Sequence, residues 1–310
     1  MTIPALLGLG QTALELALFN SLTVLALFLS YMMLNVCDLS TDGCYALGAA
    51  VGAVVAISGH PWLSIPAAMG AGMVSGLVTA VLQTRMGVNS LLAGIIVNTG
   101  LYSVNIWIMG GSSLLNMNKT ETVFTLLKAA LKDTPAAGLY ALIIGLVAVT
   151  LVILFQSAFL RTKLGLAIRA TGDNPDMVRS SSIDPVFTTT VGLCVSNAFT
   201  ALSGCLLAQS QKSTTVDIGS GMVTVALASL LIGNVFLGRR SIPVRAVGAV
   251  LGAFVFRLVY TIALRFNLPA FMLKLISSVI VIIAISGPYL KRQFPMLKRR
   301  LAGRFGRAGA

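Results

Sequence analysis

Carboxylate side chains open a short apolar segment near the start of the chain, where residues 38–56 read DLSTDGCYALGAAVGAVVA. Asp38 and Asp42, with Ser40 between them, could carry a cation or a proton. They could instead accept hydrogen bonds from the free N–H groups in the first turn of a helix, whose partial positive charge favours a carboxylate. We favour helix capping over ion or proton carriage, because capping is the commoner role of such residues.

A second set of polar side chains shares one face of an otherwise apolar segment. Asn98, Tyr102 and Asn105 follow each other at spacings of four and three residues, which places them on one face of a helix. This stripe could line a route for a polar, partly aromatic solute, with Asn197 as a weaker candidate. The alternative is hydrogen bonding between helices. We favour the lining, because polar groups that face lipid are costly.

Residues for bond-making chemistry are sparse. The sequence has no G-x-x-x-x-G-K-[ST] motif, so the chain cannot hydrolyse nucleotide by that route. Its one histidine, His60, lies in a tight SGHPW turn, and its four cysteines lack the spacing of a metal site. We therefore expect no metal and no cofactor, and a membrane enzyme is disfavoured.

The elements that position these residues are predicted to be membrane helices. Hydrophobic residues make up 56% of the 310-residue chain and charged residues 10%, and the mean hydropathy is +0.92, which is too apolar for a soluble globule. Apolar runs of about 20 residues fit a bilayer core, which tolerates only helices or closed barrels. The sequence predicts an all-α polytopic bundle of eight or nine helices over residues 1–290 and a basic tail at 291–310. The candidate spans are roughly 12–34, 43–58, 62–83, 89–110, 137–160, 187–210, 221–237, 246–264 and 269–289.

The net charge of +13 orients this bundle. If the basic tail lies in the cytoplasm, fifteen lysines and arginines fall on the inside of the membrane and five on the outside. Nine spans would then place the N-terminus outside. The basic residues lie in short loops and a tail without interleaved aromatics. We therefore attribute the positive charge to membrane orientation and not to nucleic-acid binding.

Two short segments suggest an inverted repeat. The segment that follows Asp38 and the segment that follows Asp217, DIGSGMVTVALASLLIGNVFLG, both continue into a short helix rich in small residues. They are five spans apart and would run in opposite directions. Short, glycine-interrupted segments at matching places in two halves point to a binding site near the bilayer midplane. Two ordinary capped helix starts are the alternative.

The longest inside loop, residues 161–185, is predicted to be helical. Its sequence, RTKLGLAIRATGDNPDMVRSSSIDP, indicates a helix that Gly172 ends and a second short helix with Asn174 as N-cap and Pro175 at the first position. This helical hairpin could dock a soluble partner or lie on anionic lipid as an amphipathic helix. We favour docking, because the apolar face is modest.

The same loop resembles the coupling-helix loop in permease subunits of ABC importers, in the branch that carries branched-chain amino acids, sugars and nucleosides. The matching positions are Gly165, Arg169, Ala170, Gly172 and Asn174. DLSTDG with LGAA resembles the discontinuous second helix of that branch, and NSLLAGIIVNTGLYSVNIWIMG and LPAFMLKLIS resemble its tryptophan/tyrosine-type permeases. The resemblance covers about residues 12–290.

The chain departs from that family pattern at two places. Cys44 and Tyr45 stand where a Ser-Phe pair is expected. Met272 stands where an acidic residue is expected, so Lys274 lacks its local partner and its role stays open.

The resemblance implies a two-fold pair of permeases, identical or different, in the cell membrane. Each would dock on a cytoplasmic ATPase that binds the ATP, and an extracytoplasmic binding protein would deliver the solute. The solute would be an amino acid, or alternatively a nucleoside or sugar, imported by alternating access. A self-sufficient secondary transporter or channel would fit the repeat equally well, but it has no need of a docking hairpin.

Overall fold

The computed structural model describes residues 3–132, 138–237 and 241–264, together with residues 275, 278, 279, 281, 282 and 286. Helix α1 (Ile3–Leu27) continues as a π-helix (Phe28–Met33). The other helices are α2 (Thr41–Ile57), α3 (Ser64–Thr84), α4 (Ser90–Ile108), α5 (Val123–Ala130), α6 (Tyr140–Phe159), α7 (Lys163–Asp173), α8 (Pro175–Ser180), α9 (Pro185–Gln211), α10 (Met222–Leu237) and α11 (Ile242–Leu264). Two short strands, β1 (Leu114–Asn116) and β2 (Ser213–Thr215), complete the described elements.

Six helices in these ranges are long and apolar enough to cross a membrane, namely α1 with its π-helical end, α3, α4, α6, α9 and α11. Helices α2 and α10 are apolar but shorter. These eight elements match the first eight predicted spans to within a few residues at most boundaries, which confirms the all-α membrane bundle. The ninth predicted span, 269–289, and the basic tail lie wholly or largely outside the described residues, as do Met272 and Lys274.

Helices α1 and α9 form the centre of the bundle, and most of their residues are buried. Helices α2 and α3 pack on α9, whereas α10 and α11 pack on α1. Each short helix and the long helix after it therefore lie against the long helix that opens the other half. The two halves of the bundle therefore exchange packing partners.

Glycines allow the backbones to approach closely at these contacts. A Cβ atom on Gly72 or Gly76 of α3 would collide with the carbonyl oxygens of Asn197 or Leu193 in α9. Their spacing of four residues places both glycines on the same face of α3, as in the small-xxx-small pairs of membrane helices.

The outer end of the bundle, as oriented by the basic residues, contains structure that the sequence did not predict. Strand β1 pairs with β2 in antiparallel register, and α5 lies in the predicted connection at 111–136. Gln209, at the end of α9, holds this region together. Its side chain accepts a hydrogen bond from the backbone N–H of Val123 (3.1 Å) and donates one to the Ser64 hydroxyl (2.6 Å).

Candidate functional site

The first turn of α2 and the start of α10 meet at Asp42. One carboxylate oxygen of Asp42 accepts from the backbone N–H of Gly221 (2.9 Å) and the other from that of Val223 (2.8 Å). Gly219 lies so close that a Cβ there would collide with the Asp42 carbonyl oxygen. The N-terminal ends of the two short helices therefore face each other, and one carboxylate serves both positive helix ends.

The carboxylates thus accept from N–H groups at a helix start, as in the favoured capping role, but Asp42 does so for α10 and not for its own helix α2. Ser40 is the N-cap of α2, but its backbone is helical (φ −69°, ψ −12°) and its side chain makes no capping bond. A capping side chain folds back on its own helix from extended backbone, which this segment lacks. Asp38 instead accepts from the Ser40 N–H (2.8 Å) and from the side-chain amide of Asn197 (2.9 Å).

Asn197 lies near the midpoint of α9, so its bond to Asp38 fixes the start of α2 halfway along a helix of membrane-spanning length. Asp38 and Ser40 are both fully buried in the bundle. The start of α2 therefore lies inside the bundle, far from both ends of α9. Asn197 thus holds the contact between the starts of α2 and α10, which we call the junction, but it does not line the cavity described next.

A cavity of about 320 Å³ opens beside the junction. It brings together three of the four predicted pathway residues and two of the predicted helix-start carboxylates. Its polar lining residues include Asp42, Asn98, Tyr102, Asn105, Asp217 and Ser220. The stripe on α4 and the two half-helix starts thus form one site, which we call the junction cavity.

The α4 residues play different parts in the junction cavity. Asn105 is buried, and its amide donates to the Gly43 carbonyl at 3.3 Å, while its own Oδ1 has no hydrogen-bond partner. It therefore joins α4 to α2 and also offers an acceptor at the cavity. The side chain of Tyr102 is 48% exposed and presents its ring and hydroxyl. Neutral amides, a phenol and two carboxylates could bind a polar solute that carries donors, including an ammonium group.

The loop at 161–185 folds as the predicted helical hairpin, α7 followed by α8. Thr162 caps α7 by accepting from the Gly165 N–H (3.2 Å). Asn174 caps α8 by accepting from the Asp176 and Met177 N–H groups (both 3.1 Å), with Pro175 at the first helical position. These caps confirm the predicted start of the second helix.

Gly172 does not end α7, which continues through Asp173, so that detail of the prediction was wrong. Its lack of a side chain is needed for a close contact instead, because a Cβ there would collide with the Met33 carbonyl oxygen at the end of the π-helix. Gly165 likewise lies against the backbone of Phe159 and Leu160 at the end of α6. Both glycines seat the hairpin on the bundle.

The exposed face of the hairpin differs from the predicted coupling positions. Arg169 and Ala170 are partly buried, and Asn174 is exposed. The apolar side chains directed away from the bundle are Leu166, Met177 and Ile183. The sequence contained a signal for them, since they are large apolar residues in the longest inside loop.

Comparison with known proteins identifies the class of this bundle. The family described as "Branched-chain amino acid transport system / permease component" matches residues 12–285. The chain is 28% identical over 267 residues to the "Tyrosine transport system permease protein" of Clostridioides difficile (strain R20291), covering 86% of each protein. It is 30% identical over 281 residues to an uncharacterized protein of Rickettsia prowazekii (strain Madrid E), covering 89% of this chain and 96% of that protein.

No solved structure matches the chain significantly. The family match covers most of the sequence and nearly all the elements described above. The chain therefore belongs to the family of branched-chain amino acid transport system permease components, and it is a multi-pass membrane permease.

Proposed function

We propose that the chain is the membrane-spanning subunit of an ATP-driven importer that carries a small polar solute, an amino acid, by alternating access. The observation that carries this proposal is a continuous series of contacts from the cytoplasmic hairpin to the junction cavity. A partner that displaced the hairpin would displace the cavity wall with it. The hairpin positions assigned to coupling remain Gly165, Arg169, Ala170, Gly172 and Asn174.

The first part of this series joins α7 to the end of the π-helix that continues α1. Gly172 lies against the backbone of Met33 and Leu34. Ile168 is fully buried in a cluster with Leu34 and Leu193, and the hydroxyls of Thr171 and Thr188 lie 2.8 Å apart. Because packed interiors deform little, these contacts make the hairpin, the end of α1 and the start of α9 move together.

The second part joins the end of α1 to the cavity. Residues 34–40 lead directly from the hairpin contact to Asp38, which is bonded to Asn197 of α9. Two residues after Ser40, Asp42 holds the start of α10. Movement of the hairpin would thus reach both short helices through fewer than ten residues of chain.

The solute class rests on the junction cavity and on one relative. The cavity offers carboxylate and amide acceptors and the ring of Tyr102, which suit a solute with an ammonium group and an aromatic side chain. The relative from Clostridioides difficile is described as a tyrosine transport permease. L-Tyrosine is therefore the first solute to test, ahead of nucleosides and sugars.

The proposed partners follow from the same reasoning. A cytoplasmic ATPase would bind the hairpin and the ATP, so the chain would need no cofactor of its own. A second permease subunit would complete the pathway, and an extracytoplasmic binding protein would deliver the solute.

Reconstitution tests this function. Proteoliposomes that contain the permease, its ATPase and its binding protein should accumulate L-tyrosine only when ATP is present on the hairpin side, and uridine and ribose should not compete. Liposomes that contain the permease alone should not accumulate the solute. Concentrative uptake by the permease alone would replace the proposal with a secondary transporter.

The ring of Tyr102 should contribute to passage of an aromatic solute. We expect Tyr102→Ala to lower the rate of L-tyrosine uptake about fivefold, because an aromatic contact contributes about 1 kcal/mol. Tyr102→Phe, which keeps the ring, should retain most of the rate. Trp107→Ala is the control, since Trp107 is an exposed aromatic residue on the same helix that does not line the cavity. Equal rates for Tyr102→Ala and Trp107→Ala would remove Tyr102 from the pathway.

A further inference from the structure

A second cavity, of about 440 Å³, lies beside the start of α10. Its lining includes Asn20 of α1, Thr224 of α10, and Arg257 and Tyr260 of α11. Ser220 lines both this cavity and the junction cavity, so the two lie on either side of the same turn. We call the second one the arginine cavity.

Arg257 has no acidic partner in the part of the chain that the structure describes. The sequence contains no aspartate or glutamate after Asp217, so the undescribed C-terminal residues add no acidic side chain, and Asp133 is the one acidic residue elsewhere that the structure does not describe. Both carboxylate oxygens of Asp42, the α2 residue that contacts the start of α10, already accept backbone N–H groups. A guanidinium in a membrane-spanning helix without a counter-charge is costly, and such residues usually serve a ligand or an ion pathway.

The surroundings of Arg257 leave one of its donors, the Nε–H group, without a partner. The guanidinium carbon lies 5.1 Å from the centre of the Tyr260 ring, an arrangement that supports the cation from one face. Its Nε atom is buried and has no hydrogen-bond partner. The in-plane N–H groups of a guanidinium match the two oxygens of a carboxylate.

Asn20 supplies the complementary group. Its side chain is 8% exposed and lines the same cavity, and its Oδ1 has no hydrogen-bond partner. A buried acceptor without a donor is unfavourable unless a ligand satisfies it. An ammonium group would do so, and so the cavity offers one group for a carboxylate and one for an ammonium.

We propose that the arginine cavity binds the α-amino acid head group of the transported solute, with Arg257 on the carboxylate and Asn20 Oδ1 on the ammonium. The inference rests on the proposed function and assigns a binding site to the head group of the amino acid. Uncharged sugars and nucleosides have no carboxylate to offer Arg257. Because Ser220 lines both cavities, they are adjacent, and the solute would occupy them one after the other during transport.

Charge-selective labelling tests the cavity without transport. Thr224 is exposed and lines the cavity, so Thr224→Cys can be labelled in membranes that contain the full-length chain, with the unsubstituted protein as background. We expect an anionic methanethiosulfonate reagent to react faster than a cationic one. Adding Arg257→Gln should change the rate ratio at least fivefold, whereas Arg257→Lys should preserve it. Arg245→Gln is the matched control, because it removes one positive charge from the cytoplasmic end of the same helix. If Arg257→Gln left the ratio of anionic to cationic labelling rates unchanged, the proposal that Arg257 binds a carboxylate in this cavity would be wrong.

Protection identifies the head group. L-Tyrosine should slow the labelling of Thr224→Cys, whereas tyramine, which lacks the carboxylate, should not. Equal protection by both would exclude Arg257 as the carboxylate partner.

In reconstituted transporter, Arg257→Gln should lower L-tyrosine uptake at least tenfold, with Arg257→Lys between it and the unsubstituted protein. If Arg257→Gln transports at the unsubstituted rate, the proposal is wrong. If the unsubstituted transporter imports no amino acid while the labelling preference and protection persist, the proposed function fails and the head-group cavity stands.

Discussion

Replacing Asp42 with alanine is expected to lower the free energy of unfolding by about 2 kcal/mol, because two backbone N–H groups at the start of α10 lose a charged acceptor, in one exposed and one partly buried hydrogen bond. The carboxylate also offsets the partial positive charge where the two short helices face each other. Asp42→Asn keeps one acceptor oxygen, so its loss should be smaller. Denaturation of the purified protein in detergent, followed by helix content, measures the three free energies.

The control for this series is Asp176→Ala, which removes a carboxylate from an exposed ion pair with Arg179. Surface ion pairs contribute less than about 1 kcal/mol, so this variant should unfold almost like the unsubstituted protein. If Asp42→Ala and Asp176→Ala were equally stable, the junction at Asp42 would not hold the two short helices together.

The hydropathy of the sequence predicted the helices because lipid restricts what can cross it. Each spanning helix must be apolar over about 20 residues and must satisfy its own backbone hydrogen bonds. Helix α3 (Ser64–Thr84) therefore matches the predicted span 62–83. The hairpin was predictable for a different reason, since an N-cap asparagine followed by proline is a local signal that needs no tertiary partner.

The partners of the carboxylates were not predictable, because they are distant in the sequence. Asp38 bonds to a residue 159 positions away, and the N–H of Val223 is 181 positions from Asp42. Spacing along one helix identifies a face but not what the face meets. It indicated that Asn98, Tyr102 and Asn105 act together, whereas only packing shows that Asn105 bonds to the Gly43 carbonyl.

Strands β1 and β2 at the outer end of the bundle were not predicted, because they show no hydrophobic pattern in the sequence. Strands β1 and β2 have three residues each, too few to show alternation, and their pairing joins residues about a hundred positions apart. The surroundings of Arg257 were not predictable either, because Asn20 and Thr224, which line the same cavity, come from two other helices. A cavity formed by three helices leaves no local signal in any of them.

The exposed methionine of the hairpin gives the second large expected effect. Met177 is 64% exposed at the start of α8, while its neighbour Val178 is buried and fixes the rotation of the helix. We expect Met177→Asp to weaken association with the ATPase about 100-fold, because a carboxylate buried in an apolar contact costs about 3 kcal/mol. ATP-dependent uptake should fall with it, and co-purification and single-turnover uptake measure the two effects.

Met86 provides the matched control for that change. It is 68% exposed, follows α3 at the end of the bundle where Gln83 and Thr84 share a cavity with Gly172, and lies outside the hairpin. Met86→Asp should therefore bind the ATPase and transport normally, and both variants should fold, since neither side chain is buried. Leu166→Asp should resemble Met177→Asp if the exposed apolar side chains form one docking surface. Normal association of both hairpin variants would place the docking surface elsewhere. The ATPase would then not act through the series of contacts that runs from Gly172 to Asp42.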